Sequence, residues 1–208
     1  ANAIVANLSY PDSYRHLTGF NPMIYPDLQF NYTVTVRGVG GSVEITVDLD
    51  RPIPEEFIGK VGFNFELFPG SLFGKPWIMD DQTGIFPQQP NGPAISIPSN
   101  HRHAGNYLPE SVNEDKKADI LQLVGSGYSP IVADDLIAEP YAAGYSFTIR
   151  PDDPYNRFTI KSDSEKLKLY DGRMNHNNGW FVVRTDIPAG VTKGAIKWTL
   201  TPNTVKDW

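Results

Sequence analysis

The chain has 208 residues and a net charge of −6, from 18 basic and 24 acidic side chains, and it contains no cysteine. The missing cysteine excludes disulfides, cysteine nucleophiles and thiolate metal sites. The sequence has no basic run and no apolar run of membrane-spanning length, so we expect neither a nucleic-acid partner nor a membrane partner.

Length and composition predict a single folded β domain that comprises residues 1–208. The 18 glycines, 18 prolines and 12% aromatic residues are typical of a turn-rich β protein with enough apolar side chains for a core. No amino-terminal signal pattern is present, and a chain that begins with Ala1 rather than Met is expected to be a processed or trimmed piece of a longer protein.

The first strands are predicted after an irregular start. Residues 1–28 contain three X-Pro pairs, and the residue before a proline is biased towards extended backbone, so we expect an irregular segment here. Apolar and polar side chains then alternate in residues 29–37 and again in residues 42–49. The short glycine-rich connection between these two runs predicts a β-hairpin.

Residues 61–93 are expected to organise the rest of the chain. They begin as a strand, because Phe63, Phe65 and Leu67 alternate with polar residues up to the break at Pro69-Gly70. The remainder has no regular period but is rich in aromatic residues, which predicts a long ordered loop pinned onto a sheet. The loop would hold a polar array for sugar hydroxyls, although a purely structural loop is an equal alternative; the array is Asp80, Asp81, Gln82, Gln88, Gln89 and Asn91.

The rest of the sequence is again mostly β. Residues 119–124 predict a short strand and residues 133–138 a helical turn, and alternating runs follow at residues 145–150, 157–161, 166–170, 180–187 and 195–201. Short strands, frequent turns and no long amphipathic helix predict an all-β fold, an antiparallel β-sandwich that is jelly-roll-like and has long ordered loops.

Metal sites are weakly indicated. His101 and His103 would share one face of a strand, and His176 would have to converge with them to form a three-histidine site, for which the sequence offers no further sign. The adjacent acidic pairs at residues 80–81, 134–135 and 152–153 are poor acid–base dyads, because neighbouring strand residues point to opposite faces. We therefore expect no required cofactor, with a structural calcium ion at an acidic loop left as an option.

The aromatic residues divide into candidates for the core and candidates for a ligand surface. Trp198 is in phase with Ile196 and Leu200 and is expected to be buried. Trp180 follows a polar turn and is expected at an exposed strand start, whereas Trp77 lies in the organising loop. Exposed aromatic rings would favour stacking on a sugar, although burial is at least as common for any one of them.

Two segments together carry a family resemblance. Residues 62–93, with FNFELFPG and MDDQTGIFPQQPNGP, and residues 169–202, with LYDGRMNHNNGWFVVRTDIPAG, resemble the amino-terminal β-sandwich module of large bacterial family 9 glycoside hydrolases, which are endoglucanase-like. The resemblance implies a secreted or cell-surface system for plant polysaccharides and a parent chain with an immunoglobulin-like domain and an (α/α)6 catalytic barrel. No catalytic residue is carried over, because those residues lie in the barrel, and residues 94–145 lie outside the resemblance.

These observations favour a non-catalytic carbohydrate-binding module for a β-glucan such as cellulose, mixed-linkage glucan or xyloglucan. Two alternatives stay open: a structural module that packs on a catalytic domain, and a stand-alone lyase or hydrolase that uses His101, His103, Tyr107 or His176. Trp77, Tyr107, Tyr128 and Trp180 are the candidates for stacking. The candidates for hydrogen bonding to the sugar are Asp80, Gln88, Gln89, Asn91, Arg102, Asn106, Arg173, His176 and Asn177.

Overall fold

The structure, a computed structural model, describes residues 3–11, 23–24, 27–88, 131–132, 140–172 and 180–202. The helical elements among these residues are two 3-10 turns, Glu55–Phe57 and Pro69–Ser71. No helix in this part of the chain has the length and apolar character needed to cross a membrane. The strands, numbered in chain order, are β1 (Ala3–Tyr10), β2 (Met23–Ile24), β3 (Phe30–Val39), β4 (Ser42–Leu49), β5 (Gly62–Leu67), β6 (Pro76–Met79), β7 (Gln82–Ile85), β8 (Ile131–Val132), β9 (Ala142–Gly144), β10 (Ser146–Ile149), β11 (Phe158–Ser162), β12 (Leu167–Asp171), β13 (Phe181–Asp186) and β14 (Ile196–Pro202).

The strands form two main sheets. The larger sheet has the order β1-β3-β4-β14-β11-β10-β6-β7, and the smaller one has the order β5-β13-β12-β9. Every pairing within these two sheets is antiparallel, whereas β2 and β8 form a separate parallel pair. The prediction of an all-β, antiparallel fold is confirmed.

The two main sheets contribute to one hydrophobic core. Phe63 of the smaller sheet packs edge-on against Trp198 of the larger sheet, with ring centroids 5.2 Å apart. The indole Nε1 of Trp198 also donates a hydrogen bond to Thr185 Oγ1 across the sheets, at 3.0 Å, and both residues are fully buried. The expectation that Trp198 is buried is confirmed, and contacts of this kind are those expected where two sheets of a β-sandwich meet.

The predicted hairpin is confirmed. Strands β3 and β4 pair from Tyr32↔Leu49 to Val39↔Ser42, so Gly40 and Gly41 form a two-residue turn. Gly40 has φ +59°, a backbone conformation that costs glycine little and other residues more. The alternation of apolar and polar side chains therefore set both strands, and the glycines set the turn between them.

Two predictions of irregular structure are wrong. The segment 1–28 contains β1, whose residues pair with β3 from Ala3↔Arg37 to Tyr10↔Phe30. The region after Pro69-Gly70 contains the hairpin β6–β7, which closes at Met79↔Gln82 and occupies one edge of the larger sheet. The prolines of residues 1–28 favoured a prediction of irregular backbone over a strand. In the second region, strands of four residues are too short to show a period in the sequence.

The last third of the chain follows the prediction closely. Strands β10 to β14 fall within the predicted runs to within about two residues, the usual uncertainty of strand ends. Two details differ: β9 was not predicted, and Tyr145, the first residue of the predicted run 145–150, lies outside β10 and is exposed between two strands. The strand predicted at residues 119–124 and the helical turn at 133–138 lie outside the described residues.

Candidate functional site

An exposed pair of aromatic rings stands at one end of the smaller sheet. Strands β5 and β13 are antiparallel neighbours and end in the pair Leu67↔Phe181, so the next residues, Phe68 and Trp180, emerge side by side. Their ring centroids are 5.3 Å apart with an interplanar angle of 61°, and their exposed fractions are 60% and 40%. We call Phe68 and Trp180 the aromatic platform.

Local hydrogen bonds hold the backbone on both sides of the platform. The carbonyl oxygen of Phe68 accepts a bond from Ser71 Oγ at 3.1 Å, and a Cβ atom on Gly70 would come within 2.9 Å of the Phe68 ring. The carbonyl oxygen of Trp180 accepts a bond from the Gly172 amide at 2.8 Å. The two rings are therefore positioned by the protein before a ligand arrives, which lowers the entropic cost of binding.

The platform adjoins a polar segment of the sequence. Residues 173–179 connect Gly172 to Trp180, and the hydrogen bond between these two residues brings the two ends of that connection together. The predicted ligand residues Arg173, His176 and Asn177 belong to this segment, which lies outside the described residues. The residues on either side of the segment, Gly172 and Trp180, are described, and Trp180 belongs to the platform.

Trp77 does not have the position expected of a stacking residue. It lies on β6, directly opposite Gly84 of β7, and is only 7% exposed. A Cβ atom on Gly84 would lie 2.3 Å from the Trp77 ring, so the indole covers the glycine of the neighbouring strand. The prediction that Trp77 stacks on a ligand is corrected: its ring belongs to the core, next to Phe147.

Asp80 is also corrected, from a sugar ligand to a residue that joins strands. Its two carboxylate oxygens accept hydrogen bonds from the backbone amides of Tyr145 and Ser146, each at 2.9 Å. Its own amide donates to the Ser146 carbonyl oxygen, also at 2.9 Å, and its φ is +51°. Gly144 leaves room for this carboxylate, because a Cβ atom there would lie 2.5 Å from Asp80 Oδ2.

The other predicted ligand residues are not gathered into one site by the described residues. Gln88 is exposed, two positions beyond the buried Phe86, and Gln82 of the same polar array donates its side-chain amide to the Ala143 carbonyl oxygen. The predicted residues outside the described part of the chain are Gln89, Asn91, Arg102, Asn106, Tyr107, Tyr128, Arg173, His176 and Asn177, together with His101 and His103.

A polar cleft of about 720 Å³ lies at β1, β3 and β4, away from the predicted residues. Pairing aligns polar side chains in two rows across the strands, one through Thr33 and the other through Asn31. Lys193 stands at the cleft, 3.6 Å from an Asp48 carboxylate oxygen. The residues that line the cleft are Asn7, Leu8, Ser9, Asn31, Tyr32, Thr33, Asp48, Leu49, Asp50 and Lys193.

The sequence interpretation missed Phe68 and the cleft for different reasons. Phe68 directly follows the alternating Phe63, Phe65 and Leu67, so it falls on the opposite, solvent-facing side. This departure of Phe68 from the alternating pattern could have identified it as exposed from the sequence alone. The cleft gave no such signal in the sequence, because its rows of polar side chains form only when β1 pairs with β3.

Asp50 is held as a carboxylate at this cleft. The Arg51 side chain, which donates to Asp50 at 3.2 Å, holds the pKa of the carboxyl below its ordinary value of 3.8. The amide and side chain of Asn31 also donate to it, at 2.9 and 3.0 Å, and lower the pKa further, although desolvation opposes them. The ionised form is therefore the one that the folded chain prefers.

The lowered pKa of Asp50 predicts how the stability of the fold depends on pH. A carboxyl whose pKa is lower in the folded chain stabilises the fold above its unfolded pKa, and this contribution is lost as the pH falls through the folded pKa. We expect Asp50→Asn to be less stable than the wild type near neutral pH, and the difference to shrink towards about pH 2. Urea unfolding over this range measures it, and a difference that does not change with pH would contradict the assignment.

One member of each described acidic pair, Asp80 and Asp153, has structural partners. The Asp153 carboxylate accepts hydrogen bonds from the amides of Tyr155 and Asn156 and pairs with Arg150 at 2.5 Å. Within the described ranges there is no group of three or more histidine and acidic residues that could hold a metal ion. The structural calcium ion stays a prediction.

Comparisons with protein-family models, with curated proteins and with solved structures found no match. The platform and the cleft are therefore judged by their own chemistry. The platform offers two exposed aromatic rings, and the cleft offers amides, hydroxyls and carboxylates.

Proposed function

We propose that this chain is a non-catalytic carbohydrate-binding module that recognises a plant cell-wall β-glucan within a secreted or cell-surface polysaccharide-degrading enzyme. The observation that carries the proposal is the aromatic platform, two large exposed rings fixed at the end of a sheet. The resemblance to the accessory module of family 9 glycoside hydrolases supports the same class of ligand and suggests catalytic and immunoglobulin-like domains in the parent chain.

The chemistry of a glucan fits this platform. The C–H face of a β-linked glucose unit is apolar and packs on an aromatic ring, while its hydroxyls need donors and acceptors at the rim. Segment 173–179 supplies such groups in Arg173, His176 and Asn177, next to Trp180 along the chain. An aromatic pair without a polar rim would suit a purely apolar partner instead.

The angle between the rings favours one form of β-glucan over another. A flat crystalline cellulose surface is matched by coplanar rings, whereas Phe68 and Trp180 are inclined at 61°. Inclined rings suit a single chain whose successive sugar units turn. We therefore favour soluble chains, mixed-linkage glucan or xyloglucan, over crystalline cellulose.

The first test is native affinity electrophoresis of the chain through gels that contain soluble β-glucans. We expect retardation by mixed-linkage glucan or xyloglucan, with a dissociation constant between micromolar and millimolar, because few groups are buried and hydroxyls must lose water. Trp180→Ala should weaken retardation at least about tenfold, since burying an apolar side chain contributes about 1.5–3 kcal/mol and a tenfold change corresponds to about 1.4 kcal/mol, and Phe68→Ala should act in the same direction.

The matched control is Tyr155→Ala, which removes an exposed aromatic ring far along the chain from the platform. Its retardation should equal that of the wild type. Normal retardation of both platform variants would contradict the assignment of the site. Absence of retardation of the wild type by every polysaccharide would contradict the function itself.

A second set of variants separates the platform from the cleft. Lys193→Ala and Asn7→Ala change side chains that line the cleft and leave the platform untouched. We expect both to bind glucan as the wild type does. Loss of retardation in these variants alone would move the site to the face of the larger sheet.

The two alternatives have their own signs. A structural module needs a sizeable apolar surface to pack on a catalytic domain. Among the described residues, β1 carries a group of exposed apolar side chains. A stand-alone lyase or hydrolase would rely on His101, His103, Tyr107 or His176, which lie outside the described residues. Release of reducing sugar by the purified chain would favour that enzyme over a binding module.

A further inference from the structure

The four outer strands of the two main sheets differ in how well they are protected. In this part of the chain β9 has three residues, β7 has four, and β5 has six with the charged Glu66 among them. β1 has eight residues, AIVANLSY, without a charge or a proline. Natural edge strands are usually kept short, charged or interrupted by proline, because their free N–H and C=O groups attract other strands.

Apolar side chains on both faces of β1 are exposed to solvent. Ile4 is 74% exposed and Leu8 44% on the face that continues the core side of β3, and Val5 is 58% exposed on the opposite face. The core cluster includes Phe30, Val47 and Leu49 of β3 and β4 but no residue of β1 among its buried members. Tyr10, at the end of β1, stacks on Phe30 and packs against the core, but Ile4, Val5 and Leu8 are left exposed by the rest of the described fold.

We propose that β1 pairs with β1 of a second copy of this chain, in the antiparallel sense, to join two larger sheets into one. The partner must present an uncharged edge strand of similar length, and within the described residues β1 itself meets this requirement while β5, β7 and β9 do not. Pairing about a twofold axis gives each strand the same partner sequence, which is the rule for symmetric dimers.

The side chains of β1 are compatible with such an axis at Ala6. In that register Ile4 of one copy faces Leu8 of the other, and Val5 faces Asn7, so apolar residues meet on the core side and no like charges meet on either face. The contact covers Ile4, Val5 and Leu8 and provides partners for the free backbone groups. The inference is independent of the proposed sugar-binding function, because the platform belongs to the other sheet.

The test is sedimentation velocity of the wild type from about 5 to about 500 µM, the range over which a weak strand-paired dimer dissociates. We expect a monomer–dimer equilibrium. Val5→Lys and Val5→Glu each place like charges near the axis and should raise the dissociation constant at least about tenfold. Mixing the two variants should restore association, because the Lys side chain of one copy then lies diagonally across the pairing from the Glu side chain of the other.

The control is Val39→Lys, which charges an exposed valine beside the β3–β4 turn and away from the free edge of β1. It should dimerise as the wild type does, and circular dichroism should show all variants folded. A wild type that stays monomeric throughout, or a dimer that both Val5 variants leave intact, would overturn the proposal. Glucan retardation of Val5→Lys at low concentration should match the wild type, so failure of this inference and failure of the proposed function are distinguishable.

Discussion

Replacing Trp198 with alanine is expected to lower the free energy of unfolding by about 3–5 kcal/mol, the usual cost of removing a large buried aromatic ring. Trp198 is 1% exposed, packs edge-on against Phe63 and donates its Nε1 hydrogen to Thr185 Oγ1. These partners belong to the opposite sheet, so the substitution opens a cavity where the two sheets meet. The loss is a large share of a typical domain stability of about 5–15 kcal/mol.

Urea unfolding followed by circular dichroism measures this loss. The matched control is Trp180→Ala, the same chemical change at a ring that is 40% exposed, which should cost clearly less than Trp198→Ala because less surface is buried there. Trp198→Phe keeps a smaller aromatic ring and leaves the Thr185 hydroxyl buried without its donor: the lost hydrogen bond costs about 1–3 kcal/mol, and the smaller ring adds a cavity cost. Equal effects of alanine at the two tryptophans would contradict the assignment of Trp198 to the core.

Replacing Asp80 with alanine is expected to cost about 2–3 kcal/mol, although the residue is exposed. The two hydrogen bonds from the amides of Tyr145 and Ser146 are lost, and alanine must also adopt φ +51°, which costs about 1 kcal/mol outside glycine, asparagine and aspartate. The bonds tie the β6–β7 turn to the start of β10, so their loss loosens one edge of the larger sheet.

Two further substitutions separate these contributions. Asp80→Gly removes the hydrogen bonds but adopts the positive φ freely, and Asp80→Asn keeps an acceptor oxygen and tolerates the same backbone conformation. We expect the loss of stability to decrease in the order alanine, glycine, asparagine. The control, Asp81→Ala, changes the exposed neighbour in the turn and should stay within about 0.5 kcal/mol of the wild type. An effect of Asp80→Ala as small as that of the control would contradict the joining role.

Asp80 and Trp77 show where a sequence pattern misleads about function. Carboxylates, amides and aromatic rings in one segment resembled a sugar-binding loop, yet the carboxylate bonds to backbone amides and the indole covers Gly84. The same residue types serve a sheet edge and a sugar site equally well, because both require acceptors for N–H or O–H groups and apolar faces. Composition alone does not separate the two uses.

Local periodicity in the amino-acid sequence predicted the features that depend on near neighbours. Alternation placed Phe63, Phe65 and Leu67 on one face of β5, put Trp198 in the core and predicted the β3–β4 hairpin and strands β10 to β14, while Gly40 and Gly41 marked a turn. These features depend on neighbours within about ten residues, since side chains two positions apart share a strand face.

The tertiary structure determines which strands are neighbours in a sheet and which strands lie at its edges. The pair Leu67↔Phe181 brings Phe68 to Trp180, and the position of β1 outside β3 leaves Ile4 and Val5 exposed. Two strands far apart in sequence pair through backbone groups that every residue carries, so the partner and the register are selected by the packing of the whole core. The aromatic platform and the exposed edge strand β1 both result from this pairing of distant strands.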